Sequence, residues 1–504
     1  MVERLVQAIQ AWQEEKAAER PEAKPPRQPS ALHSPVPPTR RARKKKRRRG
    51  RKRRSVRELQ IKETIPLHPA DLPEGARCIG HRDFLVQELN LEVQTLCYRR
   101  YRYRLPDGRR VTASLPEGVL GHYGSTLRSY VLYQHFQNHV TQGLIHEQLQ
   151  DWGVIISEGM IDRLLSQGHE GFHAEKDGLL PAARPISKYF QADDTPARHQ
   201  GHNGHTHCLC NEFFTSFTST DTKSRLNFLE LIRAPFEDYV LGGDACEYLN
   251  FYGFPQRRLA ELREQIGELL VITGAEAWER QLAAWKITHA EHRRLLSEAA
   301  VWGSVMYHDL YVYQPWLSDD AQQFKLWGFM HALCWVHAER HVAELVPSNE
   351  RQRAAQERVR TDFWHYYQRL KGYRAEPTPR KQAALARDFD RLLRRRTGWP
   401  ELNEVLERLH GKKEELLLVL EHPELPLHNN RNEGDIREYA KKRKISAGTR
   451  SDLGRRCRDT FLSLKKTCRK LGVSFWSYLR DRIGGLKQIL PLAELMHQAA
   501  ASAK

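Results

Sequence analysis

Apolar and polar residues alternate along "LNLEVQTLCYRRYRYRLPDGRRVTASLP", part of the stretch from Ile61 to Pro116, and the alternation breaks at Pro106-Asp107-Gly108. Alternation sends successive side chains to opposite faces of a strand, and Pro-Asp-Gly supplies a turn. The pattern therefore predicts a β-hairpin within a small β-rich module over residues 58–120. After Tyr123 the spacing becomes helical. "LIHEQLQDWGVIISEGMIDRLLSQ" predicts two helices around Trp152-Gly153, the second capped by Ser157, in a helical region over residues 121–180 whose shape resembles a helix-turn-helix. An ordinary helical hairpin has the same pattern. From Ile186 to about Glu344, strand-like and helical segments alternate, as in an α/β core. From about Glu350 to Leu420, "ALARDFDRLLRRR" and "LNEVLERLHGKKEELLLVL" place apolar residues at i, i+3 and i+4. This helical insertion (349–424) divides the core into residues 181–348 and 425–504.

Charge adds a nucleic-acid expectation. The 504-residue chain carries a formal net charge of +19 with 40% hydrophobic residues, and in "RRARKKKRRRGRKRR", Arg40 to Arg54, only Ala42 and Gly50 are not basic. Such a run repels itself but suits a polyanion, so Arg47, Arg48 and Lys52 within it are expected to contact DNA phosphates. The alternatives are a targeting or a solubilising segment. Residues 1–20 read as one amphipathic helix without a cleavage-site pattern, and residues 21–57 as a Pro-rich and basic disordered linker. No apolar run approaches the roughly 18 residues that span a bilayer. The expectation is a cytoplasmic, nucleoid-associated bacterial protein that makes no membrane contact, its eight cysteines reduced.

Candidate chemistry lies in "KYFQADDTPARH", "YVYQPWLSDDAQQF" and "LHNNRNEGDIRE". Each presents acids after a short apolar stretch or a cap. Carboxylates brought together from separate elements are what hard divalent ions of the Mg²⁺ type require for in-line chemistry at phosphorus. Each stretch also has a structural reading. Asp193-Asp194 before Thr195-Pro196 could be a turn, Asp319-Asp320 could cap a helix starting near Ala321, and Asn430-x-x-Glu433 has capping-box spacing. In "YFQADD" the polar Gln191 shares the face of Asp193, whereas Phe190 and Ala192 share that of Asp194, so Asp193 is the better ligand.

"CWVHAERH", "LHNNRNEGDIRE", "KKRKISAGTRS" and "FLSLKKTCRKLGVSFWSYLRDRI", in this order, resemble the transposases of the insertion sequence 66 family, with similarity from about Tyr123 to Ile483. The resemblance implies a ribonuclease-H-like mixed sheet and a DDE active site that cuts and joins DNA. It places the acids at Asp193, Asp319 and Glu433, which would hold Mg²⁺ or Mn²⁺, two ions in all. The choice of Asp319 over Asp320 rests mainly on it. DNA ends and target are the implied partners, with a homo-oligomer on DNA. Glu433 would start a helix, Asn429 and Asn430 would cap it, and Arg437, Lys441, Lys442, Arg443 and Lys444 would receive the DNA backbone. The chain departs from the family pattern at His428, where Asp is usual, and at Gly434, where Arg is usual. It also lacks the paired Cys-x-x-Cys segment, leaving only Cys78 and Cys97 near the N-terminus. These departures suggest a divergent branch.

"RHQGHNGHTHCLC" and "HALCWVHAERH" could each be read as a zinc site. The first looks like a loop between the first two core strands, the second like a helix after the second acid, and no zinc is expected. Two other functions fit the same residues: a catalytically silent DNA-binding protein derived from a transposase, and a metal-dependent nuclease on the same fold.

Overall fold

The computed structural model describes residues 61–502 apart from 70, 72–74, 90, 117–120 and 312. The helix expected over residues 1–20, the linker over 21–57 and the basic tract with Arg47, Arg48 and Lys52 lie outside the described residues. The chain divides into two units, Met1–Glu88 and Leu89–Lys504. In the first, the described residues form no helix or strand.

The second unit opens with the expected hairpin, but it is short: β1 (Arg102–Arg104) pairs antiparallel with β2 (Arg110–Thr112). The turn holds through Gly108 N–H to Leu105 C=O at 2.9 Å and Arg109 N–H to the Asp107 carboxylate at 2.9 Å. Among the described residues of 58–120 there are no other strands, which corrects the expected β-rich module. Tyr101, Tyr103 and Val111 are exposed, so the alternation has no packed face to bury, and three-residue strands alone cannot supply one.

Helices then follow as the spacing predicted. Gln142–Asp151 and Glu158–Ser166 flank Trp152-Gly153, Gly153 adopts φ +80°, and the Ser157 hydroxyl accepts from Met160 N–H at 3.2 Å. Ile145, Leu149, Ile161 and Leu165 bury the apolar stripe.

The main sheet has five strands in the order β5-β4-β3-β8-β9. Here β3 is Phe190–His199, β4 His202–Cys210, β5 Thr215–Thr220, β8 Trp316–Ser318 and β9 His331–Leu333. The first three run antiparallel in sequence, while β8 and β9 lie parallel to β3, so the sheet is mixed as expected. Pro196 falls where β3 has lost its β8 neighbour, a place where a missing N–H is tolerated. Residues 221–315 leave the sheet and return, carrying the separate antiparallel pair β6 (Asp238–Leu241) and β7 (Leu270–Thr273) among helices. The second excursion is the expected insertion, with helices Glu350–Ala375, Pro379–Leu393, Pro400–His410 and Lys413–Leu417.

The two faces of the main sheet pack differently. Phe190, Ala192, Leu209 and Trp316 join a large core with Phe228, Leu296 and Trp302 from the first excursion. On the other face, Cys208, Cys210 and Phe217 lie under Tyr439 and Leu462, while Leu317 joins the core of the insertion. In the helix Ala290–Tyr307, an added Cβ at Gly303 would stand 2.0 Å from the Val240 carbonyl oxygen of β6. Gly303→Ala should therefore lower stability by about 2–3 kcal/mol, read from the denaturant midpoint.

Candidate active site

Strand register brings the first two acids together. Phe190 pairs with Trp316 and Gln191 with Leu317, so the same parallel register carried two residues further sets Asp193 beside Asp319, just past the end of β8. The Asp193 carboxyl is pushed up to about 7, first by burial and then by the Asp319 carboxylate, with Asp194 and Glu433 adding to it. Asp319 and Glu433 thus both lie within electrostatic reach of Asp193. They do not form a closed cage, because their oxygens do not all lie within 4.8 Å of one another.

The neighbouring acids are engaged elsewhere. Asp194 accepts from the Gln323 side-chain amide and has His205 at 3.8 Å. Asp320 is ion-paired with Lys325 at 2.5 Å and with Lys412. Asp319 makes only a local contact, accepting from Ala321 N–H at 3.1 Å. Asp193-Asp194 lies inside β3 and is not a turn, and no α-helix begins at Ala321, where the chain makes a short 3-10 turn over Gln322–Phe324.

The third acid sits in the first turn of the helix Asn430–Ser446, where a carboxylate is favoured by the helix dipole. Asn429 stands at the N-cap, but its side chain does not cap, which corrects that expectation. Its amide instead donates to the Ala192 carbonyl at 3.1 Å and accepts from Gln191 Nε2 at 3.0 Å, while Asn432 donates to the Cys208 carbonyl at 3.0 Å. These bonds pin the start of the helix that carries Glu433 to β3 and β4. Glu433 pairs with Arg437 at 3.0 Å, and His337 Nε2 stands 3.9 Å from its other oxygen.

The basic run divides. Lys441 and Lys444 are exposed, Arg443 is half-buried, and Arg437 is exposed but committed to Glu433. Lys442 is fully buried and donates to the His135 carbonyl at 2.8 Å, so it faces the helical region and not the surface. This corrects its expected role at the DNA backbone. A signal was present in the spacing, since Asn432, Asp435, Tyr439 and Lys442 form one buried face at i, i+3 and i+4. Burial, with Arg458 and Lys465 adding, lowers the Lys442 ammonium to about 7. The unfolded chain then binds more protons between about pH 7 and 10.5, so this residue's contribution to stability rises with pH across that window. Lys442→Met should leave DNA affinity within about twofold and flatten this rise, whereas Lys441→Ala with Lys444→Ala should weaken binding and reduce its salt slope by about 2.

The His-rich segment is not a loop. It forms the ends of β3 and β4, turning only at Gln200-Gly201, whose φ values of 49° and 83° suit a two-residue type I′ turn. Its histidines have separate partners: His199 bonds Thr449 at 2.8 Å and Asp452 at 3.0 Å, and His207 bonds Thr220 at 3.0 Å. Cys208, Cys210 and Asp435 are the group whose donor atoms do lie within 4.8 Å of one another among the described residues. Asp435, however, is already paired with Lys470 at 2.9 Å and Lys466 at 3.3 Å and accepts from Thr215 at 2.6 Å. Two ammonium groups stand where a metal would add more positive charge, and burial holds the Cys208 thiol protonated. The group reads as a buried structural network.

Residues 286–456 match the model of the Transposase IS66 family. An uncharacterised protein, y4jO, of Sinorhizobium fredii (strain NBRC 101917 / NGR234) is 42% identical over 329 residues, covering 63% of this chain and 99% of the relative. The chain carries an IS66-family transposase domain over residues 286–456. The family match spans Asp319, the whole helical insertion and Glu433, and begins C-terminal to Asp193. No solved structure matches significantly. Among the described residues, no helix is long and apolar enough to cross a membrane.

Proposed function

We propose that the chain is a DDE-type DNA transposase with a ribonuclease-H-like core, which binds transposon ends and cleaves and joins DNA at Asp193, Asp319 and Glu433. The observation that carries this reading is the gathering of Asp319 and Glu433, distant in sequence, about Asp193, at the point of β3 where its β8 neighbour ends. The antiparallel β3-β4-β5 followed by parallel β8 and β9 supports the fold assignment. Metal fits the site: buried Glu433 Oε1 has no hydrogen-bond partner, and the Asp193 carboxyl, crowded by other carboxylates, calls for a cation.

Asp193, Asp319 and Glu433 would hold up to two Mg²⁺ or Mn²⁺ ions, which when bound activate a water or 3′-hydroxyl and stabilise the leaving oxygen at phosphorus. The rest follows from side chains of the chain itself. Asn429 anchors the start of the helix that carries Glu433, and Arg437 pairs with the Glu433 carboxylate. Lys441, Arg443 and Lys444 continue along the same helix, where they can meet backbone phosphates and set the DNA over the acids. Supply of both DNA ends suggests a homo-oligomer on DNA.

A strand-transfer assay with DNA carrying the inverted repeats that flank the gene tests this. Joined products that require Mg²⁺ or Mn²⁺ are expected. Cleavage without joining would indicate a nuclease, and binding without either a silent DNA-binding protein.

A further inference from the structure

His337 belongs to the helix Trp335–Ala343, which starts immediately after β9. The turn that carries it is tied to the segment leading into the third-acid helix. Trp335 N–H donates to the Leu427 carbonyl at 3.0 Å, and Asn429 N–H to the Cys334 sulfur at 3.4 Å. These two bonds tie the start of the His337 helix to the segment that leads into the Glu433 helix. Between His337 and Glu433 the distance is 3.9 Å from Nε2 to Oε1, too long for a hydrogen bond. Two ligands of one ion at bond lengths of about 2.0–2.2 Å can stand up to about 4.3 Å apart, so the separation suits a shared ion. Glu433 Oε1 is buried without a hydrogen-bond partner, as is His337 Nδ1 on the side of the ring away from it. A neutral imidazole has the lone pair that a metal needs.

We propose that His337 is a nitrogen ligand of the ion held by Glu433, which gives this position a preference for a transition-metal ion such as Mn²⁺ over Mg²⁺. This rests on the metal-site reading above. Mg²⁺ takes oxygen ligands almost exclusively, whereas first-row transition ions accept imidazole, so one nitrogen among carboxylates discriminates between them.

The test uses the full-length protein, Mn²⁺ titrated by electron paramagnetic resonance, Mg²⁺ as competitor, and pulsed spectra that report nitrogen bonded to Mn²⁺. Wild type should show nitrogen coupling and bind Mn²⁺ about tenfold or more tightly than Mg²⁺. His337→Ala should lose the coupling and about tenfold in Mn²⁺ affinity, with Mg²⁺ affinity changed less than about twofold. Coupling that persists in His337→Ala, or equal weakening of both ions, would overturn the proposal. Should His337→Ala fold poorly by circular dichroism, His337→Asn, which offers an oxygen donor, should fold and likewise lose the coupling. Glu433→Gln separates the two layers of inference. Mn²⁺ binding unaffected by it would remove the metal site itself, whereas its loss together with retained coupling in His337→Ala would remove only the histidine.

Discussion

Replacing any one of the three acids, as Asp193→Asn, Asp319→Asn or Glu433→Gln, should lower strand transfer by about 10³-fold or more while leaving DNA binding within about twofold. Each change removes a negative charge at nearly constant shape, and a carboxylate repels rather than binds a phosphate. Asp194→Asn and Asp320→Asn should cost far less activity, because those carboxylates are engaged by Gln323 and His205, and by Lys325 and Lys412. Asp193→Asn carries a second, opposite effect on stability. A carboxyl raised to about 7 in the fold and near 3.8 in the unfolded chain opposes folding increasingly from about pH 4 to pH 7, and fully above that. The metal-free variant should therefore be more stable than wild type by about 1–3 kcal/mol at pH 8, with the difference vanishing below about pH 4. Wild type should gain melting temperature on adding Mn²⁺ and the variant should gain much less. Equal activity in any of the three acid variants would mean that the residue is misassigned, and lower stability of Asp193→Asn at pH 8 would contradict the crowding of carboxylates around it.

Glu438→Ala should destabilise the protein by about 3–5 kcal/mol. Glu438 lies on the helix of the third acid and joins it to the helical region and to the helix Asp452–Lys470: it accepts from Lys465 Nζ at 2.6 Å, and His139 Nε2 lies 2.9 Å away. Lys465 is only 4% exposed, so removing its partner leaves a buried ammonium held only by the Phe136 and Gln137 carbonyls. The His139 hydrogen bond, followed by that from Lys465, holds the Glu438 carboxyl well below its usual range. In wild type this contribution is fully present above about pH 4.5 and is lost progressively as the pH falls through the lowered value. Denaturation of the variant and wild type should therefore converge in acid. A loss below about 1 kcal/mol at pH 7 would show that the pair is solvated and that the third-acid helix is held by other contacts.

Local signals in the sequence translated directly into structure. The turn at Pro106-Asp107-Gly108, the Ser157 cap and the amphipathic repeats of the insertion all depend on neighbours within a few residues, and all are present. What depended on distant partners was harder to read. Asn429 looks like a cap because it precedes a helix, yet its amide is claimed by Gln191 and Ala192, more than 200 residues away in sequence. Lys442 looks like part of a DNA-facing run because its neighbours are basic, yet the helical period turns it inward to His135. The histidines of "RHQGHNGHTH" suggested a loop, because a two-residue turn within polar strands leaves little hydrophobic contrast. At the site, the face argument separating Asp193 from Asp194 agrees with their surroundings. The choice of Asp319 over Asp320 had no such argument, because the lysines that occupy Asp320 come from elsewhere in the chain.

The most direct measurement of the central claim is the anomalous scattering of Mn²⁺ in crystals of the protein. Density is expected within about 2.3 Å of carboxylate oxygens of Asp193, Asp319 and Glu433. Manganese bound beside Cys208, Cys210 and Asp435 instead, or absent from the three acids in crystals of protein active in strand transfer, would contradict it.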